Sequence, residues 1–304
     1  RINSMAREFV GMCRRRALKM AASLPHGGGG VLDPFDHAYV IDSTNFELRA
    51  ALAPQFRGNG GGASAASMRI QFAFDYHTGT MHVEIGDVRL SDTATLARLV
   101  EGHALPMDGV CLFLSDLGYF KATTFASIRS QPGHHFLSKL QFGVRLADPD
   151  GTDLDLQNLL RKAPDQFDLT VMVGQTRCRL IGTRLPDAVV NRRIREANEA
   201  SQSKSRQITD LYRLFLHYAL FVTSLPAEYG KAQLFALYRT RWQAELAFKV
   251  RKSILAIHRI RSAKPERVLC EVYGKLIVAW GHPLTHRPTQ GLPRRRHAPQ
   301  RIRL

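Results

Sequence analysis

Cysteine is scarce and scattered. Cys13, Cys111, Cys178 and Cys270 are the only four, with no C-x-x-C pair and no Cys/His cluster at zinc-ligand spacing. That speaks against a disulfide-stapled scaffold and a structural zinc site. Long apolar runs are also missing: the longest stretch without a charge, 214–227, contains His217 and Pro226 and falls short of the ~20 residues a membrane span needs. The first residues show no n-region, apolar h-region and cleavage site in order, so no secretory signal is read. No membrane association and a cytoplasmic, nucleoid-associated bacterial location are expected. Acids are the third deficit, with 26 Asp and Glu against 43 Lys and Arg, a formal net charge of +17.

So basic a chain attracts polyanions, and nucleic acid is the leading partner class. Arg287, Arg294, Arg295, Arg296, Arg301 and Arg303 sit in a last stretch without acids, yet setting those six aside still leaves +11. A ribosomal or other RNA-binding protein would account for the charge and for nothing else. With 44% apolar residues over 304 positions, the chain can bury a real core, as one large domain or two small ones.

Residues 4–24 have helix-forming composition until the Gly27 to Gly30 run breaks it, which predicts a helix from an incomplete leading domain. His37-Ala-Tyr-Val-Ile-Asp42 predicts a short buried strand ending in a carboxylate, and Gly58 to Gly62 a flexible surface loop. The period-two pattern from Met68, the His77-Thr-Gly-Thr turn and Met81-His-Val-Glu-Ile predict a β-hairpin. Ser91 or Asp92 suits the start of a helix running through Leu96 and Val100, and Val110 to Asp116 is a second buried strand ending in an acid. Strands are also expected near 136–146, over 168–173, at 178–182 and over 214–223. After the Pro226 and Gly230 turn, a long helix is expected from Ala232 past Lys252. The fold class is therefore α/β, a mixed sheet flanked by helices, with 147–206 set into it as an insertion. Asp36, Glu47, Asp75, Asp87 and Asp92 read as caps or turn residues, and His103, His134, His135 and His258 receive no role.

At about 100° per residue, Tyr238, Arg241, Glu245 and Lys252 fall within about 60° of one another on the long helix. Alone, such a stripe reads as ordinary surface ion pairing. Leu234, Leu237, Trp242, Leu246, Ala247, Phe248 and Ile254 leave little of the helix free for water, however, so the polar face needs a partner. Asp42 and Asp116 are candidates to supply it jointly with Glu245 around divalent cations, because Mg²⁺ prefers oxygen ligands and bridges carboxylates to phosphates.

The spacing Tyr238-x2-Arg241-x3-Glu245-x6-Lys252 resembles the Y-R-E-K signature of insertion-sequence DDE transposases, the insertion sequence four family. Ile41-Asp42-Ser-Thr resembles the family's first-acid motif, Asp116-Leu-Gly-Tyr-Phe the second, and Phe221-Val-Thr-Ser-Leu-Pro the strand before the signature helix. The resemblance covers roughly 36–278. It implies a ribonuclease H-like catalytic core (36–146 and 207–280) with a β-rich insertion (147–206) before the last catalytic helix. The 129 residues between Asp116 and Glu245 are too many for a simple loop.

It also implies Asp42, Asp116 and Glu245 as the catalytic and metal-binding residues, holding two Mg²⁺ ions for which Mn²⁺ substitutes. Tyr238, Arg241, Trp242, Lys249 and Lys252 would contact DNA: Arg241 and Lys252 on phosphates, Tyr238 or Trp242 stacked on an unpaired base. The implied activity is metal-dependent cleavage and strand transfer at insertion-sequence ends, on double-stranded DNA (transposon ends and target), by a homodimer in the DNA complex. Residues 1–35 then read as a remnant of an N-terminal DNA-binding region, and 281–304 as a basic, disordered tail. These departures leave a second reading, a catalytically inactive remnant that only binds DNA.

Overall fold

Every residue from Ala38 to Ile41 is fully buried, and successive side chains go to opposite apolar layers. Only the interior of a sheet covered on both faces buries a strand this way. The computed structural model describes residues 2–15, 30–60, 64–101, 105–202 and 207–281, apart from some helical side chains. Helix α1 (Ile2–Arg15) precedes a meander of β1 (His37–Leu48), β2 (Ala66–Asp75) and β3 (Met81–Gly86). Helix α2 (Asp92–Glu101) leads to β4 (Cys111–Ser115), and α3 (Ala122–Arg129) to β5 (His134–Lys139). Then come α4 (Leu156–Lys162), β6 (Gln166–Val173), β7 (Thr176–Arg184), α5 (Asp187–Gln202), α6 (Asp210–Leu216), β8 (Tyr218–Thr223), α7 (Lys231–Ile254) and α8 (Pro265–Gly281).

Among the described residues the strands form one sheet, ordered β3-β2-β1-β4-β5-β8-β7-β6. β4 lies parallel to β1 and β5 parallel to β4, while the remaining neighbours are antiparallel. An antiparallel meander continued by two parallel strands beyond β1 is the ribonuclease H-like mixed sheet that the resemblance implies. One face carries α1, α7 and α8, through Val10, Leu234, Leu237, Val268, Val272 and Leu276. On the other face α2, α3 and α4 pack Leu96, Phe125 and Leu160. Phe125 stacks flat on Phe136 at 4.1 Å between centroids, fixing α3 to β5.

The hairpin at 66–86 and the helix at 92–101 form as expected, and Ser91 rather than Asp92 caps the helix, its Oγ accepting from the Ala94 N–H at 3.3 Å. Three expectations are corrected. The strand carrying Asp42 continues to Leu48, paired with β2 throughout, so Asp42 lies within it rather than at its end. The strand expected to reach 146 stops at Lys139, and the chain turns with Gly143 at φ 83°. Residues 214–216 belong to α6 instead of a strand. Thr209 accepts from the Tyr212 N–H at 3.2 Å, and Leu211, Leu214 and Phe215 recur at helical spacing. The 147–206 segment contributes β6 and β7, which extend the core sheet beyond β8, together with α4 and α5.

Helix α1 docks on α8, with Ala6 and Val10 buried and Arg7 Nε 3.8 Å from Glu266 Oε1. Residues 16–29 and the basic 282–304 stretch lie outside the described residues, as does most of the Gly58 to Gly62 loop beyond Gly60. Among the described residues no helix is long and apolar enough to cross a membrane.

Candidate active site

The parallel register places Ile41 of β1 beside Ser115 of β4, and Ser115 beside Ser138 of β5. One residue further along each strand stand Asp42, Asp116 and Lys139. Side chains alternate with period two. Val40, Leu114 and Leu137 all face the layer that contains Leu234, Leu237 and Tyr238 of α7, so the residues two positions on face it as well. A mixed sheet thus presents two acids and a cation in one row beneath the helix that carries Glu245. Helix α7 packs on β1, β4 and β5.

The start of that helix is held by Arg179 of β7. Its Nη1 donates to the carbonyls of Leu225, Pro226 and Tyr229 at 3.1, 2.6 and 3.2 Å, while Nε and Nη2 grip Asp168 at 3.2 and 2.5 Å. Thr223 Oγ1 donates to the Phe136 carbonyl at 2.6 Å and accepts from the Leu225 N–H, tying β8 to β5 just before the turn.

Asp42 feels the whole cluster. Burial pushes its carboxyl up to about 6, and the charges of Glu245 and Asp116 add to the rise, against the Ser43 N–H bonded to Oδ1 at 2.8 Å and the nearby Arg241. Burial likewise works against the Arg241 charge, but Tyr238, Asp116, Glu245 and Asp42 outweigh it and raise its pKa. Arg241 Nη2 lies 3.3 Å from Glu245 Oε2, and the arginine side chain is only 6% exposed. This i, i+4 pair is therefore buried rather than the surface pair that spacing alone suggests. Arg241 Nε and Nη1 and the Tyr238 hydroxyl are buried with no hydrogen-bond partner among the described residues. Two guanidinium donors without an acceptor beside three acids suit a ligand that brings anionic oxygen, such as a phosphodiester.

Tyr238 is placed differently from the expectation. Its ring is buried edge-on against Phe221 at 4.8 Å, with the Arg241 and Lys139 cations 5.1 and 5.5 Å from its centroid. A ring enclosed this way has no face left for a base. Trp242 remains 38% exposed and keeps that possibility. Lys249 and Lys252 lie on α7 but outside the described side chains.

Lys139 and Arg193 were not legible as site residues. Burial lowers the Lys139 pKa, Arg193 and Arg241 push the same way, and Asp116 and Glu245 oppose them. Lys139 belongs to no motif and ends β5; only its strand register places it beside the acids. Arg193 comes from α5, held through Nη1 to the carbonyls of Leu216 and Tyr218 at 3.4 and 3.1 Å.

Among the described residues no three His, Cys, Asp or Glu side chains are gathered closely enough to hold a metal ion, and one Glu245 oxygen faces Arg241. The donor chemistry nonetheless fits a hard divalent cation. Asp42, Asp116 and Glu245 are oxygen ligands whose mutual repulsion a cation would relieve.

Fold and site together define an α/β protein with a buried, carboxylate-lined polar site between a ribonuclease H-like sheet and a covering helix. Residues 33–280 match the family described as Transposase DDE domain, and the chain belongs to that family. It is 27% identical over 275 residues to the transposase for insertion sequence element IS231F of Bacillus thuringiensis subsp. israelensis, covering 81% of this chain and 56% of that protein. With the transposase for insertion sequence element IS1151 of Clostridium perfringens, identity is 28% over 267 residues, covering 80% and 55%. The chain thus spans little more than half the length of these relatives. A piggyBac transposase synaptic complex with hairpin DNA superposes with a TM-score of 0.42 at 8% identity, covering 80% of this chain and 45% of that one.

Proposed function

We propose that this chain carries the strand-cleaving and strand-transferring centre of an insertion-sequence transposase, with Asp42, Asp116 and Glu245 as its catalytic acids. The observation that supports this best is the parallel register of β1 and β4, which sets Asp42 and Asp116 side by side beneath α7, the helix whose Glu245 pairs with the buried Arg241. Acids brought together from three separate elements are costly to keep unless they hold something positive. The three carboxylates would hold Mg²⁺, as two ions, with Mn²⁺ substituting. When bound, such ions supply an activated water for attack on a phosphodiester and stabilise the leaving 3′ oxygen.

The protein's own groups orient the DNA. Arg241, fixed by Glu245 through Nη2, leaves Nε and Nη1 to receive phosphate oxygens. Tyr238 holds the arginine in place from below, and Trp242 offers an aromatic face at the surface. Lys249 and Lys252, further along α7, belong to the same proposed phosphate track. The partners are double-stranded DNA, at transposon ends and target, and a second copy of the chain bridging two ends.

The test is nicking of supercoiled plasmid in Mn²⁺. Asp42→Asn, Asp116→Asn and Glu245→Gln should each lower it at least 10³-fold while leaving duplex binding within about threefold, a separation typical of transition-state rather than binding contacts. Wild-type activity in any of the three would overturn the assignment. The second reading, binding without cleavage, draws on the Arg241–Glu245 pair, which engages one acid oxygen. Binding with no nicking by the wild type would favour it.

A further inference from the structure

The row Asp42, Asp116, Lys139 changes sign at its third member. Lys139 closes β5, paired with Phe221 of β8, and forms no ion pair with a described residue although Asp116 is its neighbour across the strands. Its ammonium instead lies 5.5 Å from the Tyr238 ring centroid, and the Arg241 guanidinium approaches the same ring at 5.1 Å. Two cations gathered on one buried aromatic ring repel each other and lose hydration, which an anionic ligand would repay. Arg241 Nε and Nη1 are buried without an acceptor among the described residues, and the Tyr238 hydroxyl is buried beside them. The site is therefore divided. Its β1 side gathers negative oxygens for a cation, and its β5 side gathers positive groups for an anion.

Resting on the reading of this site as one that acts on DNA, we propose that Lys139 is a phosphate-holding residue. It grips the backbone of the bound strand next to Asp116 and works opposite Arg241, with the Tyr238 ring as the wall that aims both cations. Lys supplies a mobile point charge where Arg241 supplies a fixed planar fork, so the two can hold different oxygens of the same or adjacent phosphates. Tyr238 acts through these two residues and is a positioning residue.

The experiment uses the full 304-residue chain, a 40-base-pair duplex titrated at a series of NaCl concentrations, and plasmid nicking in Mn²⁺. Lys139→Gln should flatten the slope of log affinity against log salt by about one, the loss of one phosphate contact. Nicking should fall at least tenfold with the melting temperature little changed. Lys139→Arg should restore the slope, and Lys162→Gln, which removes an exposed charge on α4, should alter neither readout. A purely structural lysine would change the melting temperature and leave the salt slope alone. If Lys139→Gln does not fold, Lys139→Met, which occupies similar space beside Tyr238 without the charge, is read in the same titration. A wild-type slope with wild-type nicking in the uncharged variant overturns the role of Lys139 and leaves the DNA reading intact. So does an equal loss in Lys162→Gln. If the wild type neither binds duplex nor nicks plasmid, the DNA reading fails and this proposal fails with it.

Discussion

Asp42 is expensive to the apo protein. Its carboxylate is desolvated and faces Glu245 and Asp116, with Arg241 as partial compensation. Asp42→Asn removes the repulsion while keeping the shape, so without divalent cations at pH 7.5 it should stabilise the fold by about 1–3 kcal/mol, a rise of several degrees in melting temperature. Mn²⁺ should raise the melting temperature of the wild type and leave the variant unmoved. An unchanged or lower melting temperature for Asp42→Asn in metal-free buffer would remove the argument that these acids are held for a cation.

A second buried ion pair lies at the opposite end of β1. His37 Nδ1 is 2.7 Å from Asp75 Oδ2, and Nε2 is 3.2 Å from Asp108 Oδ1. Burial opposes the charge on His37, but the hydrogen bonds and charges of Asp75 and then Asp108 hold its pKa above the ordinary 6.5. A raised folded pKa contributes stability that is complete below about 6.5 and is lost as pH rises through the higher folded value. His82, whose pKa burial lowers against the pull of Asp75, shifts stability the other way and is common to both proteins in a comparison. His37→Gln should therefore cost more at pH 5.5 than at pH 9 in urea unfolding. Equal losses at both values would show that folding does not raise the pKa of the ring.

At the scale of elements, the site depends on where α7 begins. Arg179 spans β7 and the β8–α7 turn through three carbonyls and Asp168. Arg179→Ala leaves those carbonyls without their shared donor and should destabilise the protein by about 2–4 kcal/mol, with nicking reduced in the surviving folded fraction. Arg179→Lys should recover little, because an ammonium lacks the planar fork that engages both the carboxylate and the turn. Full recovery of the melting temperature by lysine would mean that charge alone anchors the helix. Gly182 makes a separate point about β7. A Cβ there would fall 2.2 Å from the Phe167 ring, which is buried against β7 and packs near Tyr218. Gly182→Ala should cost about 1–3 kcal/mol by overpacking, read as a lower urea midpoint, although alanine suits a strand backbone at least as well as glycine.

For the whole molecule, a net charge of +17 on 304 residues favours fast, strongly salt-dependent association with polyanions, and the proposed function makes DNA the one to test. If six or more phosphates are contacted, duplex affinity should fall by about 10³-fold or more between roughly 50 and 200 mM salt. A flat dependence over that range would exclude backbone neutralisation as the source of binding. The charge itself says nothing about where a polyanion lies; under the proposed function it lies at the site beneath α7.

Much of the fold was legible because its signals are local. Val110 to Asp116 and His37 to Asp42 read as buried strands from continuous apolar runs, the 66–86 hairpin from its alternation and turn, and α7 from its length and punctuation. Residues 214–216 misled because a short apolar run has no period of its own, and the Thr209 cap decided for helix. Asp42, Asp116, Arg241 and Glu245 could be nominated from motif spacing, since those residue types recur at fixed intervals. Lys139 could not, because its place beside Asp116 is a product of the parallel register between β4 and β5, which no motif records. Nor could the burial of Tyr238, which follows from the packing of α7 on β8 through Phe221. The sequence by itself determined most of the elements and the basic charge, written in composition and short-range periodicity, and motif spacing nominated the acids. Which charges share a row, which side chains are shut away from a ligand and which donors await one were decided only by tertiary structure, because long-range pairing sets distance and burial.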